Sequence, residues 1–392
     1  MGRRKLTVLA LGALGLAGAL TAAAVVAPER AALGAAVRTP SDPGEVIARV
    51  PTRDAEEIAA RRALAGDPAE LEAAVQIARA EIRRARETSD PRYLGRAQAT
   101  LHAWWAMAAP PADVLLLRAT IRQSLHEFGL ARADLDRLIA LRPDDANAQL
   151  TRAVVATVTG DYAAARESCA RLAGLVAVTC RAPLDALAGR LDEARTELAR
   201  ALRGRVRTEL RSWAETTLAE LALQAGDRAD AEALLRGVLA RDADDAYARA
   251  ALADVLMVRG AHAEASALLA GRESIDSALV RRAIAEHAIG GPDEARLVQQ
   301  MRDRIAAAAE RGDRIHLREE ARFALEVDGD AARALRLARD NWDVQKELAD
   351  ARLLVHAAVA ARDRTAAEPV LAWVHATGVR DAELAVAMQE LR

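Results

Sequence analysis

Cys169 and Cys180 are the only thiols in the chain, and their spacing suits oxidation better than metal binding. If the backbone reverses near Gly174, each stands five or six residues from the bend on antiparallel neighbours. Two Cα atoms placed that way come within about 4.4 to 6.8 Å, the range a disulfide requires. An oxidising compartment would close the bond, and a reducing one would leave two small buried thiols. Zinc needs a third and fourth ligand, and no histidine stands nearby in sequence. The seven histidines, His102, His126, His262, His287, His316, His356 and His375, form no H-E-x-x-H pair. There is no G-x-S-x-G, no phosphate loop and no G-x-G-x-x-G after a strand. Asp328-Gly329-Asp330 lacks the twelve-residue calcium pattern and reads as a turn. No catalytic, cofactor-binding or metal-binding residue is expected.

Recognition chemistry is better represented. Trp213 and Glu220 stand seven apart, and Tyr247 and Asp254 repeat that arrangement 34 residues later. On helices, each pair shares one face. An aromatic ring beside a carboxylate, presented twice, would receive an extended segment carrying Arg or Lys; the plainer alternative is that the rings pack between helices and the acids are solvated. Arg118, Arg152 and Arg181 form a second ladder. A row of fixed guanidinium groups would hold carboxylates or an anionic polymer, unless neighbours such as Asp134, Glu167 and Asp185 neutralise it as structural ion pairs.

The elements that must position these residues are helices. Of 392 residues, 52% are apolar but only 3% aromatic, so alanine and leucine fill the core, and scarce β-branched and aromatic residues argue against sheets. The 55 basic residues face 57 acidic ones, a balance that excludes non-specific nucleic-acid binding. Lysine occurs only at Lys5 and Lys346.

One period organises the body. Ala97, Ala131, Ala165, Ala194, Ala231, Ala265, Ala295, Ala334 and Ala367 recur at intervals of 29 to 39 residues, commonly 34. Four positions on stands an apolar residue, Leu101, Leu135, Cys169, Leu198, Leu235, Leu269, Ala338 or Leu371, with Gln299 the one break. A glycine turn precedes most of them, as in Gly160-Asp161, Gly226-Asp227 and Gly260-Ala261. Twelve residues upstream stand Ala119, Ala153, Ala182, Ala219, Ala253 and Ala283. Small residues on facing helices let two backbones approach closely. Trp104-Trp105, in the first such hairpin, reads as a capping core cluster, with a lipid-facing pair or a partner site as alternatives.

The pattern resembles the tetratricopeptide repeat family, whose unit is a 34-residue helix-turn-helix. The likeness is strongest over 145–173 and 245–270, and Pro143 falls where that family places its inter-repeat proline. First-helix positions that are aromatic or leucine in the family are often Ala or Arg here. The resemblance covers roughly residues 68–392. It implies an all-α fold, an α-solenoid of about nine repeats in a right-handed superhelix, with an extended concave wall of upstream helices for protein or peptide partners.

The N-terminus has another composition. MGRRK is followed by an uncharged run from Leu6 to Ala27, a basic segment before an apolar one. Residues 1–27 are expected to be a signal peptide or an N-terminal membrane anchor, residues 28–53 a proline-bearing linker, and residues 54–392 the repeat domain. Cleaved or retained, the leader would carry the body across a membrane, to a periplasmic or other extracytoplasmic site. The function expected is a non-catalytic envelope scaffold for proteins or extended peptide segments, with no cofactor. Its rivals are an accessory protein that binds an anionic polysaccharide or cell-wall polymer, and an enzyme without a recognisable motif.

Overall fold

A computed structural model describes residues 53–88, 92–310 and 316–391. The leader 1–27 and the linker 28–53, save its last residue, lie outside the described residues. Within them the chain forms 21 α-helices and one 3-10 helix, and no strand. Nine antiparallel pairs follow one another, from Leu71–Thr88 with Arg92–Thr100 to Leu348–Ala361 with Glu368–Thr377; Ala55–Gly66 precedes them and Ala382–Glu390 follows.

The recurring Gly-Asp phrase builds each hairpin turn. Gly160 takes a φ of 83°, a left-handed conformation open to glycine at little cost. Asp161 then accepts the backbone N–H of Ala164 at 3.1 Å and opens the next helix. Asp145 and Asp330 cap helix starts in the same way, each worth about 1 kcal/mol. The marked alanines Ala97, Ala131, Ala165, Ala231, Ala265, Ala334 and Ala367 have no accessible surface, and their upstream partners are buried too.

Two positions depart from the expected register. Ala295 is exposed, while Leu297 and Met301 are buried. The Gly290-Gly291-Pro292 turn is longer than the others, so Glu294–Glu310 enters two residues later, and Gln299 was the trace of that shift. In the last pair Val370 is buried instead of Leu371. There Arg364–Ala367 is a 3-10 helix, whose three-residue turn brings the next apolar contact one position earlier.

The solenoid does not remain open. Successive hairpin turns on one edge are covered by chain lying a superhelical turn further on. The carbonyl of Val158 accepts the backbone N–H of Lys346 at 2.7 Å, and Tyr162 Oη accepts Trp373 Nε1–H at 2.7 Å. Gly189 presses on Gly378, whose carbonyl oxygen lies 2.9 Å from where a Cβ would stand. Gln224 Nε2 donates to the carbonyl of Arg380 at 2.8 Å. The later helices therefore sit on the earlier ones, and the expected extended concave wall lines an interior enclosed by the chain itself.

Candidate interaction wall

The inward faces of the upstream helices carry a polar network. Tyr247 on Ala246–Val258 donates its hydroxyl to Glu220 on Thr208–Gln224. Asp254, two helical turns beyond Tyr247, accepts Arg281 at 2.7 Å and Arg322 at 3.0 Å. Arg318 binds Asp350 at 2.6 Å and Glu347 at 2.5 Å. Arg352 binds Asp381 at 2.5 Å, and His356 meets Glu383 at 3.3 Å. Glu220, Tyr247 and Asp254 keep some accessible surface although protein surrounds them, so they line an interior that water reaches.

The charges adjust accordingly. Burial pushes the Glu220 carboxyl up to about 8; Tyr247 and Arg352 hold it down and Glu347 pushes it further. Asp254 is equally enclosed, and burial alone would raise it, yet the two guanidinium groups of Arg281 and Arg322 outweigh that and keep it below the ordinary carboxylate range. His356 is raised, first by its hydrogen bond to Glu383. His126, at a hairpin turn, is lowered to about 4 by burial and then by Arg318 and His316, which places that turn too beneath the later chain.

The proposed aromatic and carboxylate ladder needs correction on these grounds. Tyr247 and Glu220 do meet across neighbouring helices, but the arginines that Asp254 receives belong to this chain. Trp213 is 6% exposed and packs in the core among Leu150, Val154 and Leu184, away from the wall. The arginine ladder is also spent internally. Arg118 is buried, forks onto both Asp134 oxygens at 2.8 and 2.6 Å, and donates to the carbonyls of Trp105 and Met107. Arg152 binds Asp136 at 2.8 Å, Ser168 at 2.8 Å and Glu167 at 3.3 Å; Arg181 binds Asp185 at 3.2 Å and also Glu197. These are ion pairs within a helix, between the two helices of a hairpin or, for Arg152 and Asp136, between neighbouring hairpins, with no free row for an anion. Trp104 is buried in the first hairpin's core, and Arg122 lies 5.6 Å over the Trp105 ring.

Sequence reasoning missed Arg281, Arg318, Arg322, Arg352 and Glu347. A trace existed. Glu220 to Tyr247, Asp254 to Arg281 and His356 to Glu383 are each 27 residues apart, one repeat less two helical turns, the offset at which adjacent inward faces touch.

Cys169 and Cys180 are joined in a disulfide with Cα atoms 5.6 Å apart. The bond ties Tyr162–Cys169 to Gly174–Leu187 around the bend at Gly174. Among the described residues no group of three or more His, Cys, Asp or Glu could hold a metal ion, and no helix is long and apolar enough to cross a membrane.

The fold and its inward wall define an all-α helical-repeat protein of stacked hairpins. Over residues 222–285 the chain matches the tetratricopeptide repeat family. Among solved structures it is similar to a tetratricopeptide repeat protein from Parabacteroides merdae, with 15% identity, coverage of 72% of this chain and 99% of that one, and a TM-score of 0.36. It is similar also to the P58(IPK) TPR domain, with 14% identity, 81% and 92% coverage and a TM-score of 0.21. A third is Cut9–Hcn1 of the APC/C, with 12% identity, 86% coverage of each chain and a TM-score of 0.30. No curated protein matches the sequence.

Proposed function

We propose that this chain is an exported, non-catalytic scaffold that holds proteins or extended peptide segments together in the cell envelope. The observation that carries the scaffold reading is the row of nine hairpins among the described residues, with tetratricopeptide similarity at 222–285. Export rests on the basic and then apolar composition of residues 1–27, and the Cys169–Cys180 bond fits an oxidising compartment. Released after cleavage or tethered by residues 6–27, the body would work outside the cytoplasm. Because the inward wall is filled by the chain's own arginines, the partner meets outward surfaces and hairpin edges. The anionic-polymer reading loses its support with the arginine ladder paired internally.

In-cell crosslinking followed by mass spectrometry, done together with fractionation and thiol alkylation, tests this. Envelope proteins crosslinked to a chain with both cysteines protected from alkylation are expected. Free thiols in a cytoplasmic fraction would refute export, and capture of glycans alone would refute the protein scaffold.

A further inference from the structure

The edge on which the solenoid stacks has an unfilled continuation. Val158, Leu187 and Gln224 each stand five residues after a buried upstream alanine, at the turn end of the first helix of a hairpin. Val158 and Gln224 hydrogen-bond to the later chain, Gly189 two residues after Leu187 meets Gly378, and the three side chains are 6%, 7% and 3% exposed. Val258 occupies the same place in the next hairpin and is 50% exposed; in the one after, Ala288 is exposed and Ile289 is 45% exposed. A Cβ built on Gly260 or Gly290 would meet nothing within 4 Å, whereas one on Gly226 would stand 3.1 Å from Ala382. Among the described residues, the covering layer thus stops one hairpin short of Val258.

The covering segments share a chemistry. Each is the elbow before a helix, with a basic residue preceding an acidic N-cap: Lys346-Glu347 lies over Val158, and Arg380-Asp381 over Gly189 and Gln224. Among the described helix starts outside hairpin turns, one further elbow has that pair. It is Arg53-Asp54, where Asp54 accepts the backbone N–H of Glu57 at 2.7 Å and opens the first helix. Arg53 is partly exposed, with a loose pairing to Glu57 at 3.4 Å.

We propose that the ledge formed by Val258, Gly260 and Ile289 receives the Arg53-Asp54 elbow of a second copy of this chain, so that copies join head to tail and continue the stack. The contact extends the interface already made within one chain. It would also bring the first helix of one copy, which exposes Ile58, against the last helix of the other, which exposes Val386. Such a contact is heterologous and propagates instead of closing as a pair.

The test uses the full chain in a non-ionic detergent, by sedimentation over a concentration series, with the variant Val258→Lys/Ile289→Lys. Both side chains are already half exposed, so folding, checked by circular dichroism, is expected to hold. Wild type should self-associate, and the variant should weaken that association at least about tenfold, because it buries ammonium groups on the ledge and sets them against Arg53. Leu141→Lys, at a 65% exposed residue away from the ledge, should leave association unchanged. In a second arm, chains carrying Arg53→Cys are mixed with chains carrying Val258→Cys under mild oxidation. A mixed disulfide dimer is expected, well above any dimer formed by either chain alone. A wild-type monomer at every concentration, association indifferent to the ledge substitutions, or no mixed crosslink would each overturn the proposal.

Discussion

Replacing Glu220 by Gln removes a charge from the interior while keeping an oxygen to accept the Tyr247 hydroxyl. In the folded chain the carboxyl is pushed from 4.5 up to about 8, chiefly by burial. A raised carboxyl pKa means the folded state holds a proton that the unfolded state has released, so stability falls as pH rises from the unfolded value toward the folded one. Below about 4.5 both states are protonated and nothing is lost; above about 8 both are ionised and the full penalty is present. Converting that interval at about 1.4 kcal/mol per unit would give roughly 5 kcal/mol for a carboxyl sealed from water. Glu220 keeps accessible surface, so we discount this to about 1 to 3 kcal/mol. Glu220→Gln should therefore match wild type in stability near pH 4.5 and exceed it increasingly up to pH 8. Urea unfolding of both proteins at pH 4.5, 6, 7 and 8.5 measures the difference. A difference that stays flat with pH, or that favours wild type at pH 8.5, would refute the account of this interior as tight enough to strip the carboxyl of its charge.

Arg118→Met should cost about 3 kcal/mol, because it leaves the buried Asp134 with Arg122 alone; combining it with Asp134→Leu should recover much of the loss in the same unfolding assay. Gly189→Ala should destabilise by about 1 to 2 kcal/mol more than Gly260→Ala. Both glycines have a φ near 80°, but only Gly189 faces the Gly378 carbonyl at 2.9 Å; equal costs would mean that the later chain does not press on the hairpin turns. Reducing the disulfide, or replacing both cysteines by Ser, should lower stability by up to about 3 kcal/mol in the chain-entropy account, with the midpoint of denaturation as readout.

The hairpins were legible because a repeat writes its packing into the sequence many times over. Alanine at the closest approach, leucine four on and Gly-Asp at the turn each follow from local geometry, and the lengthened turn at Gly290 to Pro292 misled only by two residues. The pairing of Arg118 with Asp134, Arg152 with Glu167 and Arg181 with Asp185 was equally local, since each lies within one hairpin or one helix. The interior was not legible. Arg322 is 68 residues from Asp254, and their meeting depends on how far each hairpin rotates against the last. That rotation comes from summed small contacts that leave no motif, so a wall open to partners and a wall closed on itself have nearly the same sequence.

Closure changes what a partner must do. A peptide arginine approaching Asp254 competes with Arg281 and Arg322, which are held in place by their own helices and act at an effective concentration that a free ligand does not reach. Removing one of them to admit a ligand would leave a buried or half-buried charge without its partner, a loss of several kcal/mol before any new contact forms. The inward network therefore works against ligand entry and in favour of one fixed curvature. Fixed curvature is what makes the outer edge regular: the turns at Gly160, Gly189 and Gly226 are held at positions that later elbows fit, and Val258 and Ile289 inherit the same presentation. A scaffold of this kind recognises through the ends and edges of its stack, with the charges inside setting the angle at which those edges are offered.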